Sequence, residues 1–180
     1  NPNLKFLFEN VRMKKEYSNY LDTLFGVKSV LIESSYFSAQ LRKRFYWTNL
    51  DIKQIEDRNM LLKDVIENGF VDKNKAYCVD ASYIRNSNPF GYMKKSRGTL
   101  IFNSIKDLAR FRGMKREQLL SEESIKDKCW RRLTRKELER LQNIPESYTS
   151  IIDYNKAAHA IGNGWTVDVI AHIFSSLPQE

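Results

Sequence analysis

Residues 4–32 read LKFLFENVRMKKEYSNYLDTLFGVKSVLI, and this stretch decides the fold class. An apolar run from Leu4 to Phe8 stops abruptly at Glu9-Asn10, as a buried strand does when it delivers polar residues to its carboxyl end. Tyr17, Tyr20, Leu21, Leu24 and Phe25 then fall at i, i+3, i+4, i+7 and i+8, one face of a helix that Gly26 can close in the left-handed conformation. Val27 to Ile32 is β-branched and apolar, and Arg44 to Trp47 offers a further short aromatic strand after a basic turn. The order β, α, β, β is that of an α/β sheet.

Further along, Leu61, Leu62, Val65 and Ile66 predict a short helix ending at Gly69, and Tyr77, Val79, Ala81 and Tyr83 alternate like a half-buried strand. Asn86 to Gly98 carries Asn, Ser, Pro, Gly and Lys without periodicity and reads as a polar, basic loop. Thr134 to Glu137 is a capping box opening a helix whose Leu138 and Leu141 face inward and which stops before Pro145. Another helix is expected after Thr166, with Asp168 in its first turn and an apolar stripe of Val167, Ile170, Phe174 and Leu177.

The 180 residues suffice for one domain, and 42% hydrophobic residues can build its core. No apolar run approaches the roughly 20 residues of a membrane span, and the opening residues show no charged n-region, so neither membrane insertion nor secretion is expected. Cys78 and Cys129 form no C-x-x-C pair, which leaves no disulfide framework and no zinc site and suits a reducing, cytoplasmic setting. The net charge is +8, and from Lys94 to Arg116 eight basic residues face Asp107 alone, with a second basic cluster from Lys128 to Arg140. Such runs are either a solvated surface or phosphate contacts.

Four stretches carry more. They are Phe8-Glu9-Asn10-Val11, then Gln40-Leu41-Arg42-Lys43-Arg44, then Arg132-Leu133-Thr134 through Leu141-Gln142, then Ile161-Gly162-Asn163-Gly164-Trp165. In this order they resemble the later motifs of the DNA methyltransferases that modify carbon 5 of cytosine, and the resemblance spans nearly the whole chain. The ending AIGNGWTVDVIAHIF is most similar to phage and bacterial members and to the mammalian de novo enzymes. The resemblance implies part of a Rossmann-like, S-adenosylmethionine-dependent methyltransferase sheet plus a small irregular target recognition region, with double-stranded DNA as partner. On that basis residues 1–50 are the later part of the catalytic domain, 51–128 the recognition region, and 129–180 helices returning to the cofactor fold.

By its position alone, Glu9 at the end of a parallel-type strand lies where α/β sheets place ligands, and away from bulk water its carboxyl could serve as a proton donor. The resemblance gives it the N3 and exocyclic amine of a flipped cytosine. Arg42 and Arg44, two apart, share a face of an extended segment and could aim two guanidinium forks at one target, or simply form a solvated turn. The resemblance assigns Arg44 to the cytosine O2 and Arg42 to a supporting role near the glutamate and phosphate. Gln40 completes that motif, and with Lys94, Lys95 and Arg97 it makes the expected DNA-contacting set.

Gly162-Asn163-Gly164 lacks the third glycine of a dinucleotide fingerprint and by itself reads as a tight turn. The resemblance sets Asn163, Gly164 and Trp165 against S-adenosylmethionine, with the indole as a flat apolar surface. His159 and His172 read as structural, and no metal is expected. The family's nucleophile is a cysteine directly after a proline, whereas Pro2, Pro89, Pro145 and Pro178 precede Asn3, Phe90, Glu146 and Gln179. Cys78 and Cys129 read as small buried residues. The expected whole is therefore the C-terminal portion of a methyltransferase whose N-terminal half supplies the nucleophile and the glycine-rich cofactor loop. The alternative is a noncatalytic DNA-binding subunit or a remnant of a split enzyme.

Overall fold

The computed structural model describes residues 3–89, 91–92, 98–113 and 129–177. Strand β1 (Leu7–Val11) leads into helix α1 (Lys15–Phe25), which returns the chain to β2 (Val30–Glu33) running in the same direction as β1. Strand β3 (Lys43–Thr48) slots antiparallel between them, giving the order β1-β3-β2. Helix α1 ends at Gly26, whose φ of 67° is the left-handed conformation that a residue without Cβ adopts freely.

The sheet departs from expectation in two respects. β1 begins at Leu7 because Asn49 takes the backbone of the preceding residues: its Oδ1 accepts from Phe6 N at 3.1 Å and its Nδ2 donates to Leu4 O at 2.8 Å. Glu9 consequently sits in mid-strand with an antiparallel neighbour, not at the carboxyl end beside a parallel one. The buried side of α1 also differs. Tyr17, Tyr20 and Leu24 are exposed, whereas Ser18, Leu21, Asp22 and Phe25 turn toward the sheet. That rotation lets Asp22 accept from the Trp47 indole N–H at 2.7 Å and from Ser29 N at 3.0 Å, and sets Phe25 against Phe8 with ring centroids 4.9 Å apart.

Two short strands, β4 (Ile101–Phe102) and β5 (Trp130–Arg131), pair antiparallel beside a helix at Ile105–Gly113, α4. Helices α2 (Leu62–Val65) and α3 (Tyr83–Asn86) are single turns, and the chain closes with α5 (Arg135–Leu141), α6 (Tyr154–Asn163) and α7 (Val167–Phe174). One core gathers Ala39, Leu62, Val79, Leu138, Leu141 and Ile161 from every third of the chain. A second joins Ile32, Phe37 and Tyr46 to Val169 and Ile173 of α7.

The alternating strand expected over residues 77–83 does not form. Gln40 and Arg42 occupy the backbone groups a ladder would need: Val79 N donates to Gln40 Oε1 at 3.3 Å, and Val79 O accepts from Arg42 Nη1 at 2.7 Å. The stripe expected on α7 is likewise displaced. Val169, Ile170 and Ile173 are buried, while Val167, Phe174 and Leu177 remain substantially exposed.

Candidate active site

Residues paired across an antiparallel ladder, and those two apart on one strand, share a face of the sheet. Val11 lies opposite Arg44 and Glu9 opposite Tyr46, so this rule brings Glu9 and Arg44 to one face. Their side chains meet there, with Arg44 Nε 2.9 Å from Glu9 Oε1 and about one seventh of each side chain still open (13% and 15%). Beneath them, burial first and the charge of Glu9 second push the Tyr46 phenol above its ordinary range and keep it neutral.

Arg42 has a different surrounding from Arg44. It is 4% exposed, donating from Nη1 to Val79 O at 2.7 Å and from Nη2 to Gly164 O at 2.7 Å and Gly162 O at 3.3 Å. Burial lowers its pKa most, and Cys78 nearby acts in the opposite sense. The expected pair of guanidinium forks therefore splits: Arg44 stays at the Glu9 face, and Arg42 ties the segment at residue 79 to the end of α6. Cys78 lies between them, its Sγ 3.4 Å from Arg42 Nη1 and 3.9 Å from Arg44 Nη2.

Gln40 has no accessible surface. Its Nε2 donates to Leu141 O and, at 2.9 Å, to Gln142 Oε1, so in this conformation it holds the fold together. Lys94, Lys95 and Arg97 lie outside the described residues, as do Lys115 and Arg116. The second basic cluster turns largely inward. Arg131 pairs with Glu137 at 2.8 Å, Arg132 donates to Ser87 O at 2.9 Å, Arg135 donates to Thr149 O, and Arg140 pairs with Glu146 at 2.6 Å.

The Gly162–Trp165 segment is the end of α6 and the link to α7. Helix α6 starts at Asp153, which accepts from Lys156 N, and it lies against the loop at residues 80–81. Only glycine fits at 162, because a Cβ there would stand 2.2 Å from the Asp80 carbonyl carbon. The turn leaves Asn163 exposed and Trp165 47% exposed. Beside it runs a mainly apolar groove of about 540 Å³ whose lining includes Pro145, Tyr148, Trp165, Ile170 and Phe174. An open indole with one N–H, an exposed amide and an apolar groove suit one wall of a nucleoside-sized ligand's site.

Sequence reasoning places His159 in a helical stretch but misses the capped apolar face of α6, Asp153 followed by Ala157, Ala158 and Ile161. Glu137, which the capping box names, and Glu139, which no local signal marks, are both fully buried carboxyl groups. Among the described residues no cluster of His, Cys, Asp or Glu could hold a metal ion, and no helix is long and apolar enough to cross a membrane.

A three-stranded sheet with an inserted antiparallel strand, joined through Arg42 to a glycine turn between two helices, makes this an α/β fold. The structure resembles the Entamoeba histolytica methyltransferase EhMeth with a TM-score of 0.61 at 15% identity, covering 97% of this chain and 63% of that one. A mutant of Spodoptera frugiperda DNMT2 matches at 0.59 and 15% identity over 95% of this chain and 65% of its own. The S. pombe Dnmt2 methyltransferase matches at 0.61 and 16% identity over 95% and 66%. The chain thus spans slightly under two thirds of the length of these structures. No curated protein sequence matches it. The family model described as C-5 cytosine-specific DNA methylase matches residues 4–179, and the chain belongs to that family.

Proposed function

We propose that the chain is the C-terminal portion of a DNA (cytosine-5) methyltransferase, acting on a flipped cytosine in double-stranded DNA. The observation that carries this reading is the Glu9–Arg44 pair, a carboxyl and a guanidinium 2.9 Å apart on one partly open sheet face. Together they offer complementary polar groups to one edge of a pyrimidine: Glu9 toward N3 and the exocyclic amine, Arg44 toward O2. When a thiolate adds to carbon 6, electron density moves onto the ring, and a proton held by Glu9 at N3 with a cation at O2 relieves it. Once carbon 5 carries the methyl group, its proton leaves to a base as the thiolate departs from carbon 6, restoring the double bond, and N3 returns its proton to Glu9. S-adenosylmethionine supplies the methyl group when bound, and Asn163, Gly164 and Trp165 would hold it.

The thiolate belongs to a Pro-Cys pair that these 180 residues do not contain, so an N-terminal half carrying that pair and the glycine-rich loop is the expected partner. The same absence supports a second reading, a noncatalytic DNA-binding subunit or remnant of a split enzyme. In both, residues 51–128 contain the recognition region, with Lys94, Lys95 and Arg97 contacting DNA phosphates. The test is methyl transfer by the complete enzyme carrying Glu9→Gln: a rate lower by roughly 10²-fold with DNA affinity nearly unchanged is expected, since an amide cannot supply the proton. An unchanged rate removes Glu9 from the site.

A further inference from the structure

Gln142, the residue that ends α5, has no accessible surface and saturates its amide. Its Oε1 lies 2.9 Å from Gln40 Nε2 and 2.8 Å from Thr166 Oγ1, and its Nε2 lies 3.0 Å from Ile161 O and 3.5 Å from Gly164 O. Its own carbonyl accepts from Val167 N at 2.9 Å. The amide cannot be reversed, because a flip would set its oxygen against two carbonyls and its NH₂ against the Gln40 amide donor. Gln142 therefore grips the Gly162–Trp165 turn from both sides: before it at Ile161, within it at Gly164, and after it at Thr166 and Val167.

The only other side chain holding the carbonyls of that turn among the described hydrogen bonds is Arg42, which takes Gly162 O and Gly164 O. Arg42 fixes the turn to the sheet that carries Glu9 and Arg44, while Gln142 fixes it to α5, whose other end is tied to β5 through Glu137 and Arg131. Asn163 and Trp165 project from the segment between these anchors with few polar restraints of their own among the described residues, where the Asn163 amide has a 3.4 Å contact with His159 Nδ1. Their placing therefore depends on a residue that faces neither the groove nor the Glu9 face.

We propose that Gln142 is a positioning residue for cofactor binding, setting the exposed Trp165 indole and the Asn163 amide through its hold on the turn. This rests on the reading that the turn meets S-adenosylmethionine. The substitutions that test it are Gln142→Leu, which removes all four side-chain contacts, and the milder Thr166→Val, which keeps the shape but removes the hydroxyl that meets both Gln142 Oε1 and Ser34 Oγ, the latter at 3.0 Å. Gln142→Glu keeps the acceptor toward Gln40 and Thr166 but turns a second oxygen on Ile161 O and Gly164 O, so it does not rescue.

The experiment uses the protein labelled with fluorotryptophan, with the Trp165 and Trp47 signals assigned from Trp165→Phe and Trp47→Phe. In Gln142→Leu and Thr166→Val the Trp165 resonance is expected to shift or broaden while that of Trp47, fully buried in the sheet, holds its position and reports an intact fold. In the complete enzyme KM for S-adenosylmethionine rises about tenfold with kcat within about twofold, the split that lost ground-state binding produces. A Trp165 resonance that stays in place in both folded variants overturns the role of Gln142. Separately, S-adenosylmethionine that binds the wild-type enzyme without moving this resonance overturns the placing of the turn at the cofactor, so the two readings fail independently.

Discussion

Arg42→Lys separates the two arginines of the motif. The guanidinium spans a gap between Val79 O on one side and Gly162 O and Gly164 O on the other, and a lysine ammonium at the end of one stem reaches only one side. Hydrogen bonds from a charged donor contribute about 1.5–3 kcal/mol each, and the carbonyls left behind are in a region with little access for water. Losing the 2.7 Å bond on one side, with partial compensation by movement, costs about 3 kcal/mol. Against a total stability of about 5–15 kcal/mol the protein stays folded. With a urea m-value of about 2 kcal/mol/M the midpoint falls by about 1.5 M. Arg44→Lys, at the open face, shifts it by less than about 0.5 M, since a partly exposed ion pair contributes about 1 kcal/mol. Urea unfolding followed by tryptophan fluorescence measures both. An unchanged midpoint in Arg42→Lys would show that the guanidinium is not a structural clamp and would leave it the supporting role near the glutamate and phosphate that the resemblance assigns.

Hydrogen bonds from Thr149 and Ser147 outweigh burial and lower the Glu139 pKa, so its stabilisation is present above the ordinary carboxylate range and is lost as pH falls through the lowered value. Denaturation midpoints compared between pH 6 and about pH 3 should therefore fall less in Glu139→Gln than in the wild type. Gly162→Ala forces a methyl into the Asp80 backbone, and a loss of about 3 kcal/mol in the same urea assay is expected. Trp165→Ala should weaken S-adenosylmethionine binding by about tenfold or more while duplex DNA affinity stays within about twofold, as titration calorimetry can show.

Local signals were legible wherever the residue and its partner lie within a few positions. Gly26 ends α1, and Thr134 and Glu137 cap each other at the start of α5 as their spacing predicts. Glu9 and Arg44, named by the resemblance, touch, while Arg42 reaches the Gly162 carbonyl 120 residues away, a contact that no local signal and no motif names. What was hidden are polar partnerships across the fold. The 3.6-residue period of α1 fits either face, and it is Asp22 with Trp47 that selects the one burying Ser18 over the one carrying Tyr20. An arginine run such as Arg131 to Arg140 looks like a phosphate surface until Glu137, Glu146 and backbone carbonyls are found to receive it. Apolar alternation at residues 77–83 failed for the same reason, since Gln40 and Arg42 claim Val79 before a strand can.

The central claim, that this chain supplies the base-reading pair and cofactor turn but not the nucleophile, is tested most directly by transfer of labelled methyl groups from S-adenosylmethionine to cytosine in duplex DNA. The 180 residues are assayed alone and together with a segment carrying the Pro-Cys pair and glycine-rich loop. The account predicts no transfer in the first case and, in the second, transfer that depends on Glu9. Turnover by the 180 residues alone would contradict it and direct attention to Cys78, 3.9 Å from Arg44, as the nucleophile.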